Sequence, residues 1–179
     1  PGEAYTEKTL LDFQERLQKL GLFEGASVEL DADPATADAA PVLVRVKELS
    51  LQQATFGVGY SANTGPRLSV EHIQRRPFGA RWIAKNKIEL GPDNQHWEGE
   101  LTSYPLADRY RNLVSGSATK LLSDDQQLLG WNARVGRARD GERIDRLYFA
   151  ELTHARVDSD KLISQADAVS ANYQWVFRD

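Results

Sequence analysis

Glu98 and Glu100 stand two residues apart, so on a strand both carboxylates leave the same face. That is the least a glycosidase-type acid and base pair would need, and charges lining a wet face account for the same spacing. Asp31, Asp33 and Asp38 have the composition of a calcium loop, but the interleaved Ala and Pro do not follow an EF-hand, and a solvated loop is the simpler reading. Asp158 and Asp160 are expected in another loop. His72, His96 and His154 are scattered, without a partner at metal-ligand spacing, and read as wet-face or loop side chains. The chain has no serine-centred elbow and no phosphate-binding glycine loop. With no cysteine, a disulfide framework and a thiolate metal site are both excluded. No catalytic residue, metal ligand or cofactor is expected, and the chain does not read as an enzyme.

What the sequence does specify is elements. Over residues 6–20, Leu10, Leu11, Phe13, Leu17 and Leu20 recur at helical spacing, with Thr6 placed to cap the start and Gly21 to end the helix. Two strands follow, one at 27–30 and one at Val42–Val46, separated by an Asp/Ala/Pro loop over 31–41. From about Thr55 the texture changes to period two and keeps it. Phe56, Val58 and Tyr60 alternate with Gly57, Gly59 and Ser61. Trp82, Ala84, Ile88 and Leu90 alternate with Arg81, Lys85, Lys87 and Glu89. The pattern recurs around Trp97, around Trp131, and along Val169, Ala171, Tyr173, Trp175 and Phe177. Turn residues separate the runs at 63–66, 76–79, 91–94, 104–108, 123–125 and 140–141. About eight antiparallel strands joined up-and-down are predicted, each with one wet and one apolar face.

Composition limits the partners. Net charge is −4. Residues 1–54 hold ten acidic against five basic side chains, and the remainder 16 against 17, so an acidic head precedes a near-neutral body. Nothing resembles a phosphate-binding stripe, and no nucleic acid is expected. Mean hydropathy is −0.52, and no window approaches the ~20 apolar residues a transmembrane helix requires. Strands can still cross a bilayer, because alternation averages out in such a sum. The missing methionine and the opening Pro-Gly read as a segment of something longer.

Alternation alone leaves open whether the oily side faces inward, as in a lipocalin-like ligand-binding barrel, or outward against lipid. Charges sit freely on the polar face. Gly and Ala pad the apolar one (Ala84, Gly99, Ala133, Ala171), which fills a core poorly and does no harm against hydrocarbon. Trp82, Trp97, Tyr104, Tyr110, Tyr173 and Trp175 fall near expected strand ends, as interfacial aromatic belts do. These features lean toward lipid. That assignment requires Trp131, Tyr173 and Trp175 to lie outside any enclosed centre.

Gly21-Leu22-Phe23 after an amphipathic helix resembles the end of a POTRA (polypeptide-transport-associated) domain. Residues 56–61, 64–67, Pro77-Phe78-Gly79 and Tyr104-Pro105-Leu106 are similar to the first strand, first hairpin and periplasmic turns of TamA- and BamA-type outer-membrane assembly factors, with the likeness nearest the TamA branch. The resemblance covers nearly the whole chain; the motifs are loose one by one, and their order carries it. It implies a truncated α+β POTRA remnant over 1–52 and, over 53–179, the N-terminal half of an antiparallel up-and-down transmembrane β-barrel. An earlier POTRA strand and helix, and the second barrel half with its Arg-containing loop motif, have no counterpart here. The implied setting is the outer membrane with a periplasmic N-terminal part. The implied partners are outer-membrane protein or autotransporter clients and, in the TamA branch, a periplasm-spanning inner-membrane protein. A closed barrel pairs its first strand with its last, and a weak seam offers free N–H and C=O groups to an incoming strand. Here the seam strand is Phe56, Gly57, Val58, Gly59 and Tyr60; its glycines either thin that seam or only relieve crowding at a barrel corner. The POTRA edge strand, Val42, Val44 and Val46, is a second place for an extended client. A passive or two-partner-secretion channel on the same strands is the remaining alternative.

Overall fold

The computed structural model describes residues 6–31, 40–62, 64–141, 143–159 and 162–177. The chain divides into two compact units, residues 1–50 and 51–179.

In the first unit, helix α1 (Glu7–Gln18) starts at Thr6, whose hydroxyl accepts from the Thr9 amide at 3.2 Å. Gly21, with φ +67, lets the chain reverse after the helix. Strand β1 (Phe23–Leu30) then pairs antiparallel with β2 (Val42–Glu48), placing Ala26, Val28 and Leu30 opposite Val46, Val44 and Val42. Both strands run longer than expected, because pairing recruits Phe23, Gly25 and Ala26 in β1 and Lys47 and Glu48 in β2, where alternation gives no signal. Two helix glutamines act on β1: Gln14 Oε1 accepts from the Val28 amide at 3.2 Å, and Gln18 Nε2 donates to the Ala26 carbonyl at 3.3 Å. These bonds satisfy backbone groups that β2 does not reach. Asp33 and Asp38, weighed above as cation ligands, lie outside the described residues.

The second unit is one eight-stranded antiparallel sheet in sequential order. Its strands are β3 (Gln52–Ser61), β4 (Gly65–Arg75), β5 (Trp82–Leu90), β6 (Asn94–Ser103), β7 (Arg111–Ser123), β8 (Gln126–Arg139), β9 (Ile144–Ser159) and β10 (Leu162–Phe177). Every connection is a hairpin; turn chemistry foretold six of the seven, and the tight β9–β10 link was not among them. The first strand begins at Gln52 rather than Thr55, since Gln52, Gln53 and Ala54 pair with Gln74, Ile73 and His72 despite lacking alternation. The sheet does not close: among the described residues β3 pairs only with β4 and β10 only with β9. In the β4–β5 turn, Arg76 and Phe78 both take positive φ, and Phe78 is fully exposed.

Candidate functional site

The registers sort the sheet into two faces. One row across the apolar face runs Phe56, Val70, Ile88, Trp97, Ala118, Trp131, His154 and Asp167. Another runs Gln74, Ala84, Leu101, Val114, Val135, Ala150 and Ala171. The oily stretch is centred near Val58 in β3 but spans Val169 to Phe177 in β10. Val58 shares its hydrogen-bonded row with Gln165, several residues short of that stretch. The oily band therefore crosses the rows obliquely. Strands tilted ~40° to a barrel axis produce that offset when the band lies level around the barrel.

The opposite face carries ionic side chains in register. Glu71 faces Lys87 and Lys87 faces Glu98; Lys85 faces Glu100; Arg134 faces Glu151 and hydrogen-bonds it. Lys87 and Glu89 pair at 2.7 Å, and His96 Nδ1 lies 2.9 Å from the Thr119 hydroxyl. Glu98 and Glu100 do share this face, where lysines oppose them. The Thr102 hydroxyl donates to Glu100 Oε1 at 3.0 Å.

Neither face encloses a core. Among the described residues, Ala26 and Ala84 are the only buried hydrophobics. Trp131, Tyr173 and Trp175 are 47%, 53% and 54% exposed, on a sheet whose open edges leave both faces uncovered. A ligand-binding barrel would need these rings inside. Trp97 lies over the paired Gly99 and Gly116: a Cβ added at Gly99 would stand 2.6 Å from its ring. Glycine is needed at 99 because the indole occupies that space.

The aromatics gather at the sheet end holding the β4–β5, β6–β7 and β8–β9 turns. A chain of rings links Tyr110 to Tyr148 (6.0 Å), Tyr148 to Tyr173 (6.1 Å) and Tyr173 to Trp175 (4.6 Å). Trp82 opens β5 at the same end, and Tyr104 follows β6 there, with Arg81 5.9 Å from its ring centroid. Trp82, Tyr104, Tyr110, Tyr173 and Trp175 share this one end, whereas Trp97 lies near the start of β6, toward the opposite end of the sheet. Three arginines that sequence reasoning passed over join this end. Arg137 and Arg139 lie 4.9 Å and 5.5 Å from the Tyr110 centroid, and Arg146 is close enough to act on its phenol. Arg146, with Arg139 adding to it, holds the Tyr110 phenol below its ordinary range. In the adjoining loop, the Tyr110 amide, and then Arg137 at 2.9 Å, hold the Asp108 carboxyl below the usual carboxylate range. The signal for the arginines was present, since Arg137 and Arg139 continue the parity of Val135.

Phe56, Val58 and Tyr60 project from edge strand β3 on the apolar face, Phe56 and Val58 being 73% and 87% exposed. Gly57 and Gly59 lie on the other side. A Cβ at Gly57 would meet the Ser69 hydroxyl at 2.5 Å, while Gly59 has open space. In β2, Val42, Val44 and Val46 are all exposed, and among the described residues the strand pairs only with β1. Two expectations need correction. His72 and His154 lie on the apolar-bearing face, not the wet one; His154 stacks on Trp131 (5.8 Å) and bonds Asp167 at 2.6 Å. Asp158 is a strand residue of β9, opposite Ile163, because β9 and β10 outrun the oily band; Asp160 lies outside the described residues. No group of three or more potential metal ligands occurs among the described residues.

A sequential antiparallel meander with one oily face and one ionic face has the strand order of an up-and-down β-barrel, left open at β3 and β10 among the described residues. No family model matches the sequence. Among solved structures the chain is similar to the crystal structure of BamA from Haemophilus ducreyi lacking POTRA domains 1-3, with TM-score 0.60 and 14% identity. The match covers 98% of this chain but only 39% of that one, so the present chain spans about two fifths of its length. At that identity the likeness is one of fold: the fold is BamA-like.

Proposed function

We propose that this chain is part of an outer-membrane assembly factor, with residues 51–179 contributing the leading strands of its barrel and residues 1–50 a POTRA-like periplasmic remnant. Its apolar face meets lipid and its ionic face lines water. Its clients are other outer-membrane proteins, which meet it as extended strands. Autotransporter-type clients and a periplasm-spanning inner-membrane partner belong to the TamA-like version of this reading. The observation that carries the proposal is the combination, in one sheet, of an exposed oily face with a short edge strand thinned by two glycines.

Strand β3 is suited to β-augmentation. On the polar side its pairing with β4 sets Gly57 against Ser69 and Gly59 against Arg67, so no side chain of β3 packs there, and glycine lowers the stability of a strand interior. A client strand gains main-chain hydrogen bonds there and is held against Phe56, Val58 and Tyr60 on the oily side. The exposed edge of β2 offers the same kind of pairing earlier, before the membrane is reached.

The test is site-specific crosslinking in the full-length protein. With Val58→Cys, a crosslink forms to an extended outer-membrane client bearing a cysteine in its terminal strand. Efficient ion conductance without any client crosslink at β3 would favour a passive channel, the reading to which the ionic face also lends itself. A chain that is monomeric and water-soluble without detergent would refute the membrane setting altogether.

A further inference from the structure

Arg139 and Arg146 stand directly opposite each other in the last register pair of β8 and β9, both half-buried. Like charges in that position repel across the strands. The nearby carboxylates are engaged elsewhere, Asp108 by Arg137 at 2.9 Å and Asp140 by Arg111 at 2.6 Å. Among the described residues no carboxylate ion pair holds Arg139 or Arg146; Arg139 lies over the Tyr110 ring at 5.5 Å from its centroid. The register puts them on the apolar face, where Arg146 faces Trp175 and the neighbouring Arg137 faces Tyr148.

Beside this cluster, toward the middle of the strands, a shallow apolar groove opens, lined by Trp82, Val114, Val135, Tyr148, Ala150 and Ala171. The register partners Ala150 and Ala171 contribute little bulk to it, whereas Trp82 and Tyr148 contribute much. A guanidinium pair with no carboxylate partner among the described residues, set at a cluster of rings, and an apolar groove beneath it are separate observations, and both point to an amphiphile with an anionic head.

We propose that this end of the sheet is a binding site for an anionic phospholipid, with the phosphate between Arg139 and Arg146 and an acyl chain along the groove. The site rests on the membrane reading given above. The phosphate then lies at the depth where interfacial rings sit, and basic side chains at that level attract anionic lipid. The chain enters the sheet through β3 at this same end, so in the assembly-factor reading the lipid belongs to the periplasmic leaflet. A bound phosphate also explains why two arginines are tolerated face to face, since it turns repulsion into two charge-assisted hydrogen bonds.

The experiment uses the full-length protein in phosphatidylcholine nanodiscs, with and without phosphatidylglycerol, reading retained lipid by native mass spectrometry and stability by thermal unfolding. The wild type retains phosphatidylglycerol and unfolds at higher temperature when it is present. Arg139→Gln with Arg146→Gln lowers that retention about tenfold or more, the scale of losing one charge-assisted bond. In pure phosphatidylcholine the double variant is at least as stable as the wild type, which separates ligand binding from a structural role. Lys85→Gln, on the ionic face, leaves lipid selectivity unchanged. Insertion with no phosphatidylglycerol preference, equal loss in Lys85→Gln, or the same stabilisation by inorganic phosphate alone overturns the lipid site. Failure to enter a bilayer at all overturns instead the membrane reading beneath it.

Discussion

Placing one arginine on each face of β8 tests the orientation of the sheet directly. Ala133 is exposed on the oily face, and Asn132 lies on the ionic one, between Ser117 and Thr153. On β8 the oily face runs from Leu129 to Val135, bounded by Gln127 and Arg137. That separation is about 33 Å along a strand and about 25 Å along the membrane normal at a ~40° tilt, matching the ~25 Å apolar band of outer-membrane barrels. Ala133 is an oily-face residue next to the middle, so its arginine variant meets hydrocarbon near the midplane. The expected cost of Ala133→Arg is about 2–4 kcal/mol, a fall of roughly 30-fold to 1,000-fold in the folding constant. Asn132→Arg should stay within about 0.5 kcal/mol, as for a wet surface. The assay is reversible urea unfolding of the full-length protein in phospholipid vesicles. Equal costs at the two sites, or the larger cost at Asn132, would refute the outward oily face.

Three further outcomes follow from local contacts. Removing one partner of the ionic face, as in Arg134→Gln, should cost no more than about 1 kcal/mol in the same unfolding assay if water reaches that face; a loss of about 3–5 kcal/mol would mean the pair is sealed away. Asp108 has its carboxyl held below the usual range, so its contribution is present above the ordinary carboxylate pKa and is lost as pH falls through the depressed folded value; acidification should therefore lower the protection of the Tyr110 amide relative to its intrinsic exchange rate, and Asp108→Asn should abolish that pH dependence. Phe78→Gly relieves a non-glycine residue at φ +53 and should raise stability by up to about 1 kcal/mol, with a loss instead showing that the exposed ring has a docking partner.

The sheet was legible because its signal is redundant. Each strand repeats a period of two, each break carries Gly, Pro, Asn or Asp, and eight strands emerge in the order in which the runs occur. Strand ends were less legible. Gln52–Ala54 and Glu24–Ala26 are recruited by pairing with a neighbour, a long-range cause that composition does not report. The histidines were misplaced for a related reason. His72 and His154 keep the parity of the oily residues, but they were judged by polarity, which says nothing of the side from which a strand residue leaves. The arginine cluster was missed because opposition of Arg139 and Arg146 depends on the β8–β9 register, seven residues apart across a turn, and the sequence shows only two separate basic residues. Closure and client pairing were reached through a family resemblance, since periodicity is identical in a pore and in an assembly factor.

The two open edges of the sheet are unequal, and the inequality decides which one can serve as a seam. β10 pairs with β9 over sixteen residues, and Tyr173, Trp175 and Tyr148 knit the two strands together with ring contacts. β3 pairs with β4 over ten, with Gly57 and Gly59 in its interior and no ring contact to β4. Each interior glycine weakens a strand by about 0.5–1 kcal/mol relative to alanine, so the pair removes about 1–2 kcal/mol from β3 alone. Local opening should therefore begin at β3 and leave β10 in place. In hydrogen exchange of the full-length protein, amides of β3 bonded to β4 should exchange about tenfold faster than those of β10 bonded to β9. Gly59→Ala, where a Cβ meets nothing within 4 Å, should narrow that gap and reduce client crosslinking at Val58 in proportion. If exchange at β3 slows while client capture is unchanged, strand release at this edge is not the step that admits the client.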